Sequence, residues 1–380
     1  MKKGAAFFGM LEGDMIWVIL FYSTVSVAAA VNDPFSREEV ITITIFIEPA
    51  GITSLRETPR GYVQAKVGRG TNALGAGTVR LKGNYSFRPI DEKPSFSLKL
   101  SSPEAQNQFG GHKKLLLNNS LQDPSFLRYK LASEMFLKAE LPAARINFAR
   151  VTLNGRDLGL YLLVEATDEK FLALHFGSHD GNLYEGSNQD VGDPLEIDST
   201  FNGTDRSDLR ALHDLCTIEN ATKRWAALKR DLDVERFASF MAMEVLVGHR
   251  DGYSMDINNY RLYYNLTSRQ FVFVPHGMDL TFENPRLGQD RPWRGIVAQS
   301  LYEMPEGRQM YKKRLIEWSG VFYGKNSDLS KRVADLMKVI EPSLTGTEKQ
   351  RIVRAAGQLK TQLNSRKLSL PRFIEGVETE

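Results

Sequence analysis

One stretch decides how this sequence is read. It begins His249-Arg250-Asp251-Gly252-Tyr253-Ser254-Met255-Asp256-Ile257-Asn258-Asn259 and ends Phe273-Val274-Pro275-His276-Gly277-Met278-Asp279. Between the two loops lie strand-like segments at 261–264 and 270–274, and before them a helical segment, 234–247, with Phe237, Phe240, Met241 and Val245 on one side. An antiparallel hairpin returns the chain to where it started, so the loops at its base lie side by side. Asp251, Asn258, Asn259 and Asp279 then come within reach of one another. Carboxylate and amide oxygens on neighbouring loops are hard ligands suited to Mg²⁺ or Mn²⁺ that also contacts phosphate. Singly, each is also a residue that caps turns. Their placement at both ends of one hairpin is what singles them out.

Upstream the chain reads as strands. Residues 40–47 are β-branched almost throughout, 61–67 alternate with period two, and 78–84 run into a polar turn. In residues 94–100, Phe96, Leu98 and Leu100 share one face, and Ser95, Ser97 and Lys99 the other. Asp123-Pro124 is expected to open a helix running to 138, with Asp as N-cap and Pro at the first position. A hairpin follows at 146–153 and 158–164, around Asn154-Gly155-Arg156-Asp157. Past Glu165 the pattern turns helical, at 168–176, 207–215, 223–231, 234–247, 305–320 and from 328 onward. The expected fold class is α+β with two lobes: a strand-rich N-lobe with one helix over 31–165, and a mainly helical C-lobe over 166–380 with an embedded β-hairpin. Its 380 residues exceed the size at which one core usually stops growing, which also favours two lobes.

Composition narrows the class. The formal charge of +3 is close to balanced and gives no reason to expect nucleic acid or an anionic membrane as partner. A single cysteine, Cys216, excludes a disulfide framework and a thiolate metal cage. Residues 1–30 read as an export signal: Lys2 and Lys3 precede an apolar run at 15–25, then Ala28-Ala29-Ala30, with cleavage expected after Ala30. Glu12 and Asp14 sit where such signals avoid acids, so an uncleaved, poor anchor is the alternative. The run is too short for a comfortable membrane span, and with the signal cleaved no stable span is expected.

An acid in a loop, an amide further on and a second acid after a strand pair form the arrangement of a protein-kinase catalytic segment. There the first Asp accepts the substrate hydroxyl proton, while the Asn and the second Asp hold metal. His249-Arg250-Asp251 matches the kinase triplet, but Asn258 and Asn259 fall later than the kinase Asn, so the match is one of arrangement. A kinase also needs a lysine on a small-lobe strand behind a glycine turn. Lys82-Gly83 offers that turn, Lys99 lies on the polar face of the next strand, and Lys93 is its competitor; a surface lysine on a strand would look the same. Glu134 on the 123–138 helix is the candidate partner of that lysine, and Glu165 sits where an interlobe hinge is expected. Zinc-ligand spacings, Gly-x-Ser-x-Gly and Walker-type strings are absent.

These residues carry a resemblance. Arg80-Leu81-Lys82-Gly83-Asn84 with Glu92-Lys93-Pro94-Ser95-Phe96-Ser97-Leu98-Lys99-Leu100 resembles the small lobe of the CotH kinase family, named for spore coat protein H. Leu116-Leu117-Asn118-Asn119-Ser120, Gly159-Leu160-Tyr161, Gly181-Asn182-Leu183-Tyr184, Asn258-Asn259-Tyr260-Arg261 and Pro275-His276-Gly277-Met278-Asp279 continue it in order, from about residue 40 to about 320. The resemblance implies an atypical kinase-like fold and ATP- and Mg²⁺- or Mn²⁺-dependent phosphorylation of protein Ser or Thr. Asp251 would be the catalytic acid, Asp279 with Asn258 or Asn259 the metal ligands, and Lys99 or Lys93 the phosphate lysine. Some members are exported or surface-exposed, so a secreted or cell-envelope location is expected. Many relatives carry Pro-Trp-Asp-x-Asp at the second acid, where this chain has His276 and Gly277 and keeps Asp279; Arg250 stands where an aromatic is expected before Asp251. Two other functions fit the same residues: a surface or coat-assembly protein that keeps the fold without turnover, and an ATP-using transferase that moves a different group.

Overall fold

The computed structural model describes residues 32–199, 203–284 and 293–379, so the expected export segment lies outside the described residues. The structure is mixed α+β, built on a closed barrel of β1 (Val40–Phe46), β2 (Val63–Arg69), β3 (Gly75–Lys82), β4 (Ser95–Leu100), β5 (Lys114–Asn118), β6 (Ile146–Leu153) and β7 (Arg156–Glu165). Neighbours pair antiparallel in the order β1-β2-β3-β4-β5-β7-β6, and a parallel pairing of β1 with β6 closes the ring. Inward residues alternate as period two requires: Ile41, Ile43 and Ile45, then Val79 and Leu81, Phe96 and Leu98, Leu115 and Leu117 form one apolar core. Each such side chain contributes about 1.5–3 kcal/mol on burial.

Three strands bury both faces. Leu116, Ile146, Phe148, Leu160, Leu162 and Val164 point away from the barrel into a second, larger core shared with the helices. The helix Arg128–Lys138 supplies Leu131, Met135 and Phe136 to it, and Val234–Val247 supplies Phe237, Phe240 and Met241. Burial on both faces makes β5 an unbroken Lys-Leu-Leu-Leu-Asn run with no alternation to identify it. The helix expected from Asp123 begins at Arg128 instead. Asp123 does cap, but it caps a turn: its carboxylate accepts from Ser125 N at 3.0 Å and Arg128 N at 2.9 Å, and Phe126 takes a left-handed φ of 62° that no helix tolerates.

A four-stranded sheet of order β11-β10-β8-β9 follows, from β8 (Gly181–Gly186), β9 (Glu196–Ser199), β10 (Tyr260–Asn265) and β11 (Gln270–Pro275). The hairpin expected from the sequence is β10–β11, here extended by two strands the periodicity did not signal. The other described elements of this half are mainly helices, among them Ile296–Glu303, Pro305–Tyr323, Leu329–Ile340 and a long last helix, Gly346–Thr379. No helix among the described residues is long and apolar enough to cross a membrane.

Candidate active site

The outward faces of β3, β4 and β5 form one wall of a cleft of about 410 Å³. Because Leu81, Phe96 and Leu117 turn into the barrel, Arg80, Lys82, Ser97, Lys114 and Asn118 turn outward by strand alternation. The opposite wall comes from Glu185, Asp198, Arg261 and His276 of the second sheet and from the loops carrying Asp251, Asn258, Asn259 and Asp279.

Hairpin register explains why these loops meet. Tyr260 pairs with Pro275 at the base of β10–β11, and His276 N donates to the Asn259 carbonyl at 3.0 Å. The first loop is joined to the second again by His249, whose Nε2 donates to the His276 carbonyl at 3.1 Å. Gly248, with a φ of 63°, ends the helix Val234–Val247 and releases the chain into that loop. Glu244 on the last turns of the same helix then fixes the loop. Its buried carboxylate accepts from Tyr253 N at 2.8 Å and Ser254 N at 2.9 Å, and burial pushes it up to about 7.

Asp279 faces Asn118 across the cleft, accepting from its Nδ2 at 3.2 and 3.4 Å. Burial and the nearby Asp123 carboxylate raise Asp279 to about 6, against the opposing pull of Lys82. Burial lowers Lys82 to about 8, and Asp279 is the largest influence keeping it charged. A lysine and a carboxylate that interact across a cleft, both shifted toward neutrality by burial, form a site poised for a ligand that supplies balancing charges.

Beside them Arg261 is held by Glu185 at 2.8 Å and Asp198 at 3.1 Å, and donates to His276 Nδ1 at 3.1 Å. Burial opposes its charge, but the two carboxylates outweigh burial and keep the guanidinium protonated. The same guanidinium holds Glu185 below the usual carboxylate range, while burial and Arg261 together hold His276 neutral. Lys114 reaches Asp198 at 3.8 Å.

The structure thus gathers Asp251, Asn258, Asn259, Asp279, Lys82 and Gly83 around one cleft. It places four other expected residues elsewhere. Lys99 shares the outward face of β4 but lies two residues beyond Ser97, exposed, with its Nζ 4.3 Å from the centre of the Tyr62 ring. Lys93 packs against Phe126 and Tyr161 and pairs with Glu348 at 3.6 Å, because the last helix covers it. Glu134 pairs with Lys130 at 2.9 Å and Arg332 at 2.7 Å, not with a cleft lysine. Glu165, the last residue of β7, is buried and grips Arg145 at 2.6 and 3.0 Å. Sequence reasoning gave no role to Asn118, Lys114, Glu185 or Asp198, since nothing local marks a strand residue 161 positions from its carboxylate partner.

The departure at Gly277 has a local reason. It takes a φ of 57°, and a Cβ there would stand 2.5 Å from Asn259 Oδ1. Any side chain at 277 therefore requires Asn259 to move. Asn258 Oδ1, in turn, accepts from Asn188 N at 3.2 Å. Among the described residues no three His, Cys, Asp or Glu side chains converge as a metal cage. One carboxylate with amide oxygens beside it still fits Mg²⁺, which retains several waters and takes further ligands from substrate phosphates.

A family model for the CotH kinase protein matches residues 79–367, well over half of the 380-residue chain. The chain belongs to the CotH kinase family. Inner spore coat protein H of Bacillus subtilis (strain 168) is 25% identical over 247 residues, 59% of this chain and 66% of that protein. Invasin CotH2 of Rhizopus delemar is 23% identical over 312 residues, 71% of this chain and 52% of that protein. This CotH-family chain therefore spans less than two thirds of the length of either relative. The crystal structure of the Helicobacter pylori proinflammatory kinase CtkA aligns with a TM-score of 0.33 and 10% identity, covering 73% of this chain and 94% of that one.

Proposed function

We propose that this CotH-family chain transfers the γ-phosphate of ATP to a Ser or Thr hydroxyl of a protein. The observation that carries the reading is the meeting of Lys82, Asn118 and Asp279 at one cleft, with Asp251 and two amides on the adjoining loop. Lys82 takes the part of the phosphate lysine, in place of Lys99 or Lys93. Asp279, with Asn259 or Asn258, would hold Mg²⁺ or Mn²⁺, which would supply positive charge against the phosphates. Asp251 accepts the proton of the acceptor hydroxyl as its oxygen bonds to the γ-phosphorus. The bond to the β–γ bridging oxygen breaks, and ADP leaves with that electron pair. The barrel wall and the second sheet stand as the two lobes of this arrangement.

A spore coat protein and an invasin among the relatives support a coat or surface location. Those same names favour a second reading, a surface or assembly protein that keeps the fold without turnover. Titrating ATP with Mn²⁺ against the wild type and Asp279→Ala separates the two. Saturable, metal-dependent binding that Asp279→Ala weakens supports the enzyme; no binding by the wild type contradicts it.

A further inference from the structure

The cleft wall carries more positive charge than a nucleotide site at Lys82 and Asp279 uses. Arg60, Arg80 and Lys99 cluster where β3 and β4 lead away from Lys82, around Tyr62 and Phe87. The Arg80 guanidinium and the Lys99 ammonium lie over the Tyr62 ring, at 5.1 and 4.3 Å from its centre, and Arg60 lies 5.1 Å from that of Phe87. Tyr62 is itself held by a 3.0 Å hydrogen bond with Ser97. Arg60 donates to the carbonyls of Leu81 and Gly83, which fixes it against the strand and turn that carry Lys82.

Among the described residues none of these three cations has a carboxylate within ion-pairing distance, whereas Lys82 and Lys114 on the same wall, and Arg261 on the opposite one, all interact with acids. Arg80 Nε is buried and has no hydrogen-bond partner, an arrangement that costs free energy unless a ligand completes it. Burial and the neighbouring Arg80 charge both push Arg60 below its ordinary value. Three unpaired cations on aromatic supports, two of them lining the cleft, match the chemistry that recognises carboxylate or phosphate.

We infer that Arg60, Arg80 and Lys99 form an anion subsite for the acceptor polypeptide, selecting acidic or phosphorylated residues near the Ser or Thr that is modified. The acceptor is favoured over the nucleotide by position. Arg60 lines the cleft and is exposed, Lys99 is exposed just beyond its edge, and Tyr85 on the adjoining turn is 86% exposed, where a chain passing across the cleft would reach them. The inference rests on the phosphotransfer reading for its meaning, but its test does not need turnover.

The test is the binding of fluorescent Ser-containing peptides to the full chain, with acidic, phosphorylated, neutral and basic flanks, beside the binding of ATP with Mn²⁺. Acidic and phosphorylated peptides bind more tightly than neutral ones. The double variant Arg60→Gln/Arg80→Gln weakens them roughly tenfold or more, the loss expected for a charge-assisted hydrogen bond, and weakens ATP less. Should the double variant fold poorly, Lys99→Gln, on an exposed side chain, must show the same ordering. Equal binding of acidic and neutral peptides overturns the subsite, as does a variant whose loss falls on ATP instead. Peptide selectivity without any phosphate transfer would sink the kinase reading and leave the subsite standing.

Discussion

Asn118 on barrel strand β5 donates to the carboxylate of Asp279, on the loop after β11, at 3.2 Å. This bond joins the barrel to the second sheet where the nucleotide phosphates are proposed to lie. It also favours the ionised form of Asp279, as Lys82 does, against the burial and the Asp123 charge that raise this carboxyl to about 6.

The pH dependence of metal binding follows. A divalent cation needs the ionised carboxylate, so stabilisation by Mn²⁺-ATP should approach its full value about one pH unit above 6 and fade as the pH falls through 6. The ligand-free chain should behave in the opposite sense. An acid whose folded value lies near 6 and whose unfolded value lies near 4 contributes stability that is fully present below about pH 4 and lost as the pH rises through 6. Melting curves with and without Mn²⁺-ATP between pH 4.5 and 7.5, about the range over which the group titrates, check both signs.

Lys82 should matter to the nucleotide and Lys93 to stability. Lys82→Ala is expected to lower transfer by about 100-fold or more, the scale of removing one electrostatic contact to a developing charge. Lys93→Ala loosens the Glu348 contact of the last helix and should lower the melting temperature while ATP affinity stays near wild type. Steady-state kinetics and melting on the two variants decide it, and a reversed pattern returns the phosphate role to Lys93.

Asp251→Asn should separate chemistry from binding. Losing the proton acceptor is expected to reduce transfer by about 10²- to 10⁴-fold while Mn²⁺-ATP still binds. Asp279→Ala, in contrast, should weaken the binding itself. Equal loss of binding in both variants would contradict this division of roles.

Gly252 tests how the first loop is held. A Cβ there would stand 2.2 Å from Glu244 Oε1, the carboxylate that fixes Tyr253 N and Ser254 N. Gly252→Ala should destabilise the chain by about 1–3 kcal/mol, the usual cost of forcing an extra methyl into packed surroundings. Chemical denaturation measures the cost, and transfer assayed below the unfolding transition should fall with it, because Asp251 shares the loop.

Much of this arrangement was legible in the sequence, and the part that was not has physical reasons. β10 and β11 were readable because β-branched and aromatic runs flank a turn, and antiparallel return alone put Asp251, Asn258, Asn259 and Asp279 together. β5 was hidden because both of its faces are buried, so Leu115, Leu116 and Leu117 show no alternation. The lysine was ambiguous because Lys82 and Lys99 occupy outward positions on adjacent strands. Pairing of Lys82 with Ser95 and of Thr78 with Lys99 sets one at the cleft and the other beyond its edge. Glu134 lay on the expected helix, but helix position does not reveal a partner like Arg332, which is 198 residues away.

Incubation with ATP labelled at the γ-phosphate, with Mn²⁺ and a Ser-containing protein acceptor, tests the central claim most directly. The wild type should transfer label to protein hydroxyls, while Asp251→Asn and Asp279→Ala leave the acceptor unlabelled, and ATP labelled at the α-phosphate should give no protein-bound label. Labelling from the α-phosphate, or wild-type labelling no greater than that of Asp279→Ala, would contradict it.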